Sequence, residues 1–217
     1  MQPLIYRPPT GPLSVLFADE QLVVVNKPPG LLSVPGRAPE HQDSVVARLR
    51  QQHPYVEAVH RLDMDTSGVL VCALNKSAER HLKGQFQARQ THKGYQALIW
   101  GAPEALSGQV DLPLICDWPN RPRQKVCHQE GKAALTHYKV TEQTDTYSRV
   151  EMTPVTGRSH QLRVHMQALG CPILGDRFYA HEQALAAAGR LMLHAHWLTL
   201  SHPVSGEKMR LEAPLPF

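Results

Sequence analysis

The sequence predicts an α+β fold built on a mixed, largely antiparallel sheet with flanking helices, and three observations carry that prediction. Short apolar runs of strand length recur along the chain. Helical segments fall among them irregularly rather than after every strand, and no linker, internal repeat or low-complexity tract interrupts the chain from Val15 onward. Regular β–α alternation would point instead to a parallel, doubly wound sheet. The 217 residues, 42% of them hydrophobic, suffice for one domain with a sizeable core. Residues 1–12, rich in proline and polar groups, read as an extended arm, which leaves 13–217 as a single domain.

Strands are expected at residues 22–25, 69–74 and 97–100, which are apolar runs, and at 148–152 and 197–200, which alternate. Ser44 is placed to cap a helix running toward Pro54 with Val45, Val46 and Leu49 turned inward. Ser77 is the expected cap of a second helix carrying Ala78, Leu82 and Phe86. A third helix should start from Ser159, set Leu162, Met166 and Leu169 on one face, and end at Gly170. Residues 183–188 form an alanine-rich fourth, closed by Gly189 before a strand near Leu191.

Composition excludes several functions. The four cysteines are far apart with no CxxC pair, so a zinc or dithiol site is not expected and the thiols read as buried and free. No run approaches the roughly 18 apolar residues of a membrane span, and the proline-rich start lacks the apolar helix of a signal peptide, so a cytoplasmic protein without membrane contact is expected. The net charge of +4 is a weak bias toward polyanions. Its distribution says more: Arg121, Arg123 and Lys125 gather beside Trp118, and Lys83, Arg89 and Lys93 flank the second helix.

Two polar clusters stand out. The first, HRLDMDTSG at 60–68, leads into the apolar strand at 69–74, the setting of a loop delivered by a rigid scaffold. Asp63 and Asp65 are both candidates there, and spacing alone does not choose between them. The second, GRSHQLRVH at 157–165, opens a helix with cationic and hydrogen-bonding groups suited to an anion. Its histidines, His160 and His165, are five apart and do not share a helical face, which speaks against a zinc-protease pattern.

Taken together these segments closely resemble the HRLDxxTSG and GRxHQLRxH motifs of the RluA family of pseudouridine synthases. NKPPG at 26–30 is similar to that family's first motif and KGYQA at 93–97 to its tyrosine motif, all in the expected order. The resemblance runs from about Val15 to the C-terminus and is strongest to a compact member acting on a large-subunit ribosomal RNA and on tRNA anticodon arms. It implies the pseudouridine synthase fold around an active-site cleft, no accessory N-terminal RNA-binding domain, no cofactor or metal, a monomer, and structured RNA as partner. By the same resemblance Asp63 is catalytic, Tyr95 packs on the uracil, Arg163 pairs with the catalytic aspartate, and Leu193, or else Met192, walls the pocket. Arg61 is implied to fill the space left by a flipped base, with Lys27, His60, Arg158 and His160 as further RNA contacts.

The implied reaction breaks the uracil N1–C1′ bond and joins C5 to C1′, with no redox change. A carboxylate suits it, being able to attack C1′, add to the base, or remove the C2′ proton. Two other classes share these features. A non-catalytic RNA-binding module would tolerate loss of Asp63, and an aspartate-nucleophile hydrolase would release a product.

Overall fold

A computed structural model of the chain describes residues 6–217, which divide into two compact units. One holds the chain up to His92 together with Ala195–Pro214, and the other holds Lys93–His194 with Leu215–Phe217.

The first unit contains strands β1 (Ser14–Ala18) and β2 (Leu22–Lys27), helix α1 (Val45–Leu49), strands β3 (Glu57–Ala58) and β4 (Ser67–Ala73), and helix α2 (Lys76–Gln87). β1 pairs with β2, β2 with β4 and β3 with β4, all antiparallel, in a register that sets Val24 opposite Val71 and Lys27 opposite Gly68. The unbroken apolar sequence of β4 matches its burial on both faces. Leu22, Val24, Val69 and Val71 pack there with Ala78 and Leu82 of α2. Each such buried valine or leucine contributes about 1.5–3 kcal/mol.

Ser44 caps α1 as expected, its Oγ accepting the Ala47 N–H at 3.1 Å. The cap of α2 is Asn75 rather than Ser77: Asn75 Oδ1 accepts the Ala78 N–H at 2.9 Å, which starts the helix at Lys76. The arm expected over 1–12 lies outside the described residues as far as residue 5. From Tyr6 to Pro12 it has neither helix nor strand but is tied down. Tyr6 Oη accepts the Leu32 N–H at 3.0 Å and donates to Asp43 O at 2.8 Å. Arg48, paired with Asp43, donates to the carbonyls of Pro9 and Gly11.

The second unit contains β5 (His92–Trp100, its first residue in the other unit), β6 (Ser107–Asp111), β7 (Leu114–Cys116), β8 (Gln124–Val126), β9 (Leu135–Gln143) and β10 (Tyr147–Pro154), then helices α3 (Gln161–Ala168) and α4 (Glu182–Ala186). The strands run in the order β5-β10-β9-β6 with antiparallel pairing, and β7 and β8 form a separate hairpin. Along β10 the alternation predicts the outcome: Ser148, Val150, Met152 and Pro154 turn inward. Val150 and Met152 join Ala97, Ile99, Leu162, Met166 and Ile173 in the core. α3 begins at Gln161, one position beyond the expected start, because His160 and not Ser159 holds the capping position, at φ 54. α4 is capped by His181, whose Nδ1 accepts the Ala184 N–H at 3.3 Å. β11 (Leu193–Ser201) starts two residues later than expected and passes from this unit into the first, where it neighbours β4 and pairs with β12 (Lys208–Glu212).

The architecture is thus α+β with mostly antiparallel pairing. All four cysteines are free, but only Cys72 and Cys171 are buried, and Cys116 and Cys127 are partly exposed. Among the described residues no helix is long and apolar enough to cross a membrane.

Candidate active site

Asp63 stands half-buried in the loop between β3 and β4, and its two neighbours in sequence are fixed. On one side Ser33 Oγ donates to Leu62 O at 2.9 Å and accepts the Leu62 N–H at 3.0 Å. On the other the Met64 carbonyl accepts from Lys27 Nζ at 2.8 Å and from the Gly30 N–H at 2.9 Å. The Thr66 N–H closes a turn onto Asp63 O at 3.2 Å. The segment from Lys27 to Ser33 therefore acts as the mould of the aspartate loop. Gly30 adopts φ +81, which favours glycine. Gly68, where the loop re-enters β4, has φ +115, and a Cβ there would meet Ala195 O at 2.2 Å, so no other residue fits.

Lys27, expected among the RNA contacts, is turned inward. Its side chain is 0% exposed and its three ammonium protons are directed at Pro28 O (2.9 Å), Leu31 O (2.7 Å) and Met64 O (2.8 Å). A buried ammonium directed at three backbone carbonyls is placed to anchor a loop. His60 is also turned inward: its Nε2 accepts the Val71 N–H at 3.1 Å and its ring stacks on Phe86 at 4.9 Å. Arg61 is exposed.

In the second unit Arg163 is 2% exposed on α3. Asp176 grips it, Nε donating to Oδ2 at 2.7 Å and Nη2 to Oδ1 at 2.8 Å. The guanidinium carbon lies 5.2 Å from the ring centres of both Phe178 and Tyr179. Asp176 Oδ1 also accepts the N–H groups of Phe178 at 2.9 Å and Tyr179 at 3.3 Å, so one carboxylate shapes the turn and orients the arginine. The motif resemblance pairs Arg163 with the catalytic aspartate alone and does not supply Asp176. The signal that could find it is the GD pair at 175–176, which follows the second motif.

The rest of the second motif builds α3 into its unit. His160 Nδ1 shares a hydrogen bond with Tyr179 Oη at 2.7 Å, and the same hydroxyl oxygen accepts the Gln124 N–H at 2.8 Å. Gln161 satisfies its whole amide, accepting from Thr156 Oγ1 and the Arg158 N–H and donating to Leu135 O and Thr136 Oγ1. His165 is buried between Thr136 Oγ1 (2.9 Å) and Leu112 O (3.1 Å), and desolvation lowers its pKa. Arg158 is exposed, with Nε on Ala133 O at 3.0 Å. Lys93 lies against Gly157, where a Cβ would meet the amine at 3.2 Å, and burial lowers the lysine pKa. Tyr95, on β5 opposite Met152, is half-buried against the same apolar cluster as Leu193, which is 3% exposed, and Met192.

Comparison with known proteins gives this arrangement its class. A model of the RNA pseudouridylate synthase family matches residues 21–168. The chain belongs to that family and is an RNA pseudouridine synthase, an enzyme that isomerises uridine within RNA. It is 58% identical over 214 residues to the "Dual-specificity RNA pseudouridine synthase RluA" of Escherichia coli K12, covering 98% of each chain. It is 53% identical, with the same coverage, to the protein of that name from Pasteurella multocida. Among solved structures, human RNA Pseudouridylate Synthase Domain Containing 1 matches with a TM-score of 0.79 at 30% identity, over 100% of this chain and 87% of that one.

Proposed function

We propose that this synthase is dual in specificity, modifying one uridine in large-subunit ribosomal RNA and one in the anticodon arm of certain tRNAs, as a cytoplasmic monomer without membrane contact. Identity of 58% across 98% of both chains to a relative named for dual specificity supports the substrate range. The observation that carries the catalytic assignment is the pinning of the loop on both sides of Asp63 by Ser33, Lys27 and Gly30. A carboxylate that must meet one face of a flipped nucleotide gains from a backbone that cannot drift.

In this reading Asp63 acts as an anion on the sugar or the base. The N1–C1′ bond breaks, the base turns, and C5 bonds to C1′. C5 gives up a proton and N1 gains one, so the product has the mass of the substrate. Tyr95 stacks on the uracil, Leu193 supplies apolar wall, and Arg163 supports the ionised carboxylate. Exposed Arg61 occupies the place of the extruded base, and Arg158 and His160 approach the RNA backbone. No cofactor takes part. Incubation with unmodified ribosomal RNA fragments and tRNA transcripts, followed by nucleoside chromatography, should show a mass-silent isomer in both. Product in only one RNA would remove the dual specificity, and a released free base would identify a hydrolase.

A further inference from the structure

The β7–β8 hairpin carries a feature that the chemistry at Asp63 leaves unused. Trp118 opens the short 3-10 turn Trp118–Asn120 between the two strands and is 66% exposed. One face of its indole is covered by Arg121, whose guanidinium carbon lies 4.6 Å from the ring centre. Arg123 and Lys125 follow on the same hairpin, whose own carboxylate is Asp117, at 3.6 Å from Lys125 Nζ.

The turn is rigidly built. The Asp117 N–H donates to Arg123 O at 2.9 Å, the Asn120 N–H to Asp117 O at 2.9 Å, and the Arg123 N–H to Asn120 O at 3.0 Å. The hairpin is also joined to the second motif through one residue. Tyr179 Oη accepts the Gln124 N–H, the Arg123 guanidinium lies 5.8 Å from the Tyr179 ring, and the same ring packs on Arg163 and His160. An exposed indole is thus held on a short, stiff arm fixed to the residues around Arg163.

We propose that Trp118 and Arg121 form a stacking platform for an unpaired base of the substrate RNA, distinct from the target uridine, with Arg121, Arg123 and Lys125 meeting the adjoining phosphates. The proposal rests on the RNA substrate assigned above. An exposed aromatic ring with a cation on one face and further cations alongside has the chemistry of a single-strand platform: the open face takes any base, and the charges take the backbone. Of the strands beneath Trp118, Leu114 is buried and Val126 packs with it, so these two apolar side chains face inward rather than toward a protein partner. Pre-ordering of the ring by Arg121 lowers the entropy lost when a base arrives. The occupant must be unpaired, because a base within a helix presents no free face.

The test compares binding of a stem–loop carrying an unpaired loop and of a fully paired duplex of equal length. Trp118→Ala should weaken stem–loop binding about 5- to 150-fold, the range of one lost stack. Trp118→Phe should keep most of the affinity, and duplex binding should not change. In a full-length protein with Trp100→Phe and Trp197→Phe, the remaining Trp118 fluorescence should be quenched by the stem–loop and not by the duplex. Unchanged stem–loop affinity in Trp118→Ala, equal loss on both RNAs, or an unquenched Trp118 would overturn the proposal, a docking face for protein being one reason for the first. Absence of pseudouridine formation by the unsubstituted protein would count against the substrate assignment instead, because the binding and fluorescence readouts do not depend on turnover.

Discussion

Arg163 and Asp176 form a two-pronged ion pair at 2.7 and 2.8 Å, with 2% and 0% of their side chains exposed. Such a pair is a weak source of net stability while intact and a large liability when broken, because the buried guanidinium loses a two-pronged carboxylate partner. Asp176→Asn should therefore cost about 3–5 kcal/mol in urea unfolding and should also lower turnover, since the guanidinium loses its orienting partner. A cost within about 0.5 kcal/mol, the scale of an ordinary surface substitution, would show that the pair does not hold Arg163 in solution.

Asp63 and Asp65 should separate cleanly. Asp63→Asn preserves shape but not the anion, so isomerisation should vanish while RNA binding and folding persist. Asp65→Asn should keep most of the activity, with stability changed by no more than about 0.5 kcal/mol. Single-turnover rates together with binding curves decide the matter. Wild-type rates in Asp63→Asn, or loss only in Asp65→Asn, would contradict the assignment.

Lys27 offers a contrast between anchoring and contact. Lys27→Met keeps much of the chain volume but removes three donated hydrogen bonds, each worth about 1.5–3 kcal/mol when the donor is charged. The variant should be markedly less stable and slower, with the slope of log binding constant against log salt unchanged. A slope smaller by about one would mean that the ammonium meets a phosphate after all.

Thiol labelling should rank the cysteines. Burial pushes the Cys72 thiol up to about 12. The backbone N–H groups of Glu130, Gln129 and Gly131 lower the Cys127 thiol, which is partly exposed just beyond β8. The depressed value means that Cys127 reaches its thiolate form at lower pH than an ordinary cysteine. Peptide mapping after brief alkylation at neutral pH should find Cys127 modified first and Cys72 only after unfolding. Early labelling of Cys72 would show that the core around β4 opens in the native state.

What can be read from the residues follows the range of the interactions involved. The strand at 69–74 and the alternation of 148–152 are local patterns and emerge in β4 and β10 as expected. Ser44 caps its helix for the same reason. Ser77 loses to Asn75, two positions earlier, because both side chains are competent caps and the choice depends on how the chain leaves β4. Ser159 loses to His160, whose left-handed backbone is accompanied by a ring bonded to Tyr179 and stacked on Phe178, residues far along the chain. At the site, Asp63 is legible by motif. The inward duty of Lys27 is not, since nothing in a lysine's neighbours in sequence announces complete burial, and the clasp on Arg163 comes from Asp176, beyond the end of its helix.

The dependence of Leu62 and Met64 on Ser33, Lys27 and Gly30 has a consequence for anyone wishing to move this chemistry to another scaffold. The HRLD loop is not portable by itself. A transplant would have to carry residues 26–33 as a second piece, together with a neighbouring strand whose backbone comes as close to glycine as Ala195 comes to Gly68. Leu32, inside that second piece, is in turn hydrogen-bonded to Tyr6. The smallest graft that preserves the loop thus gathers parts separated by nearly the whole length of the chain.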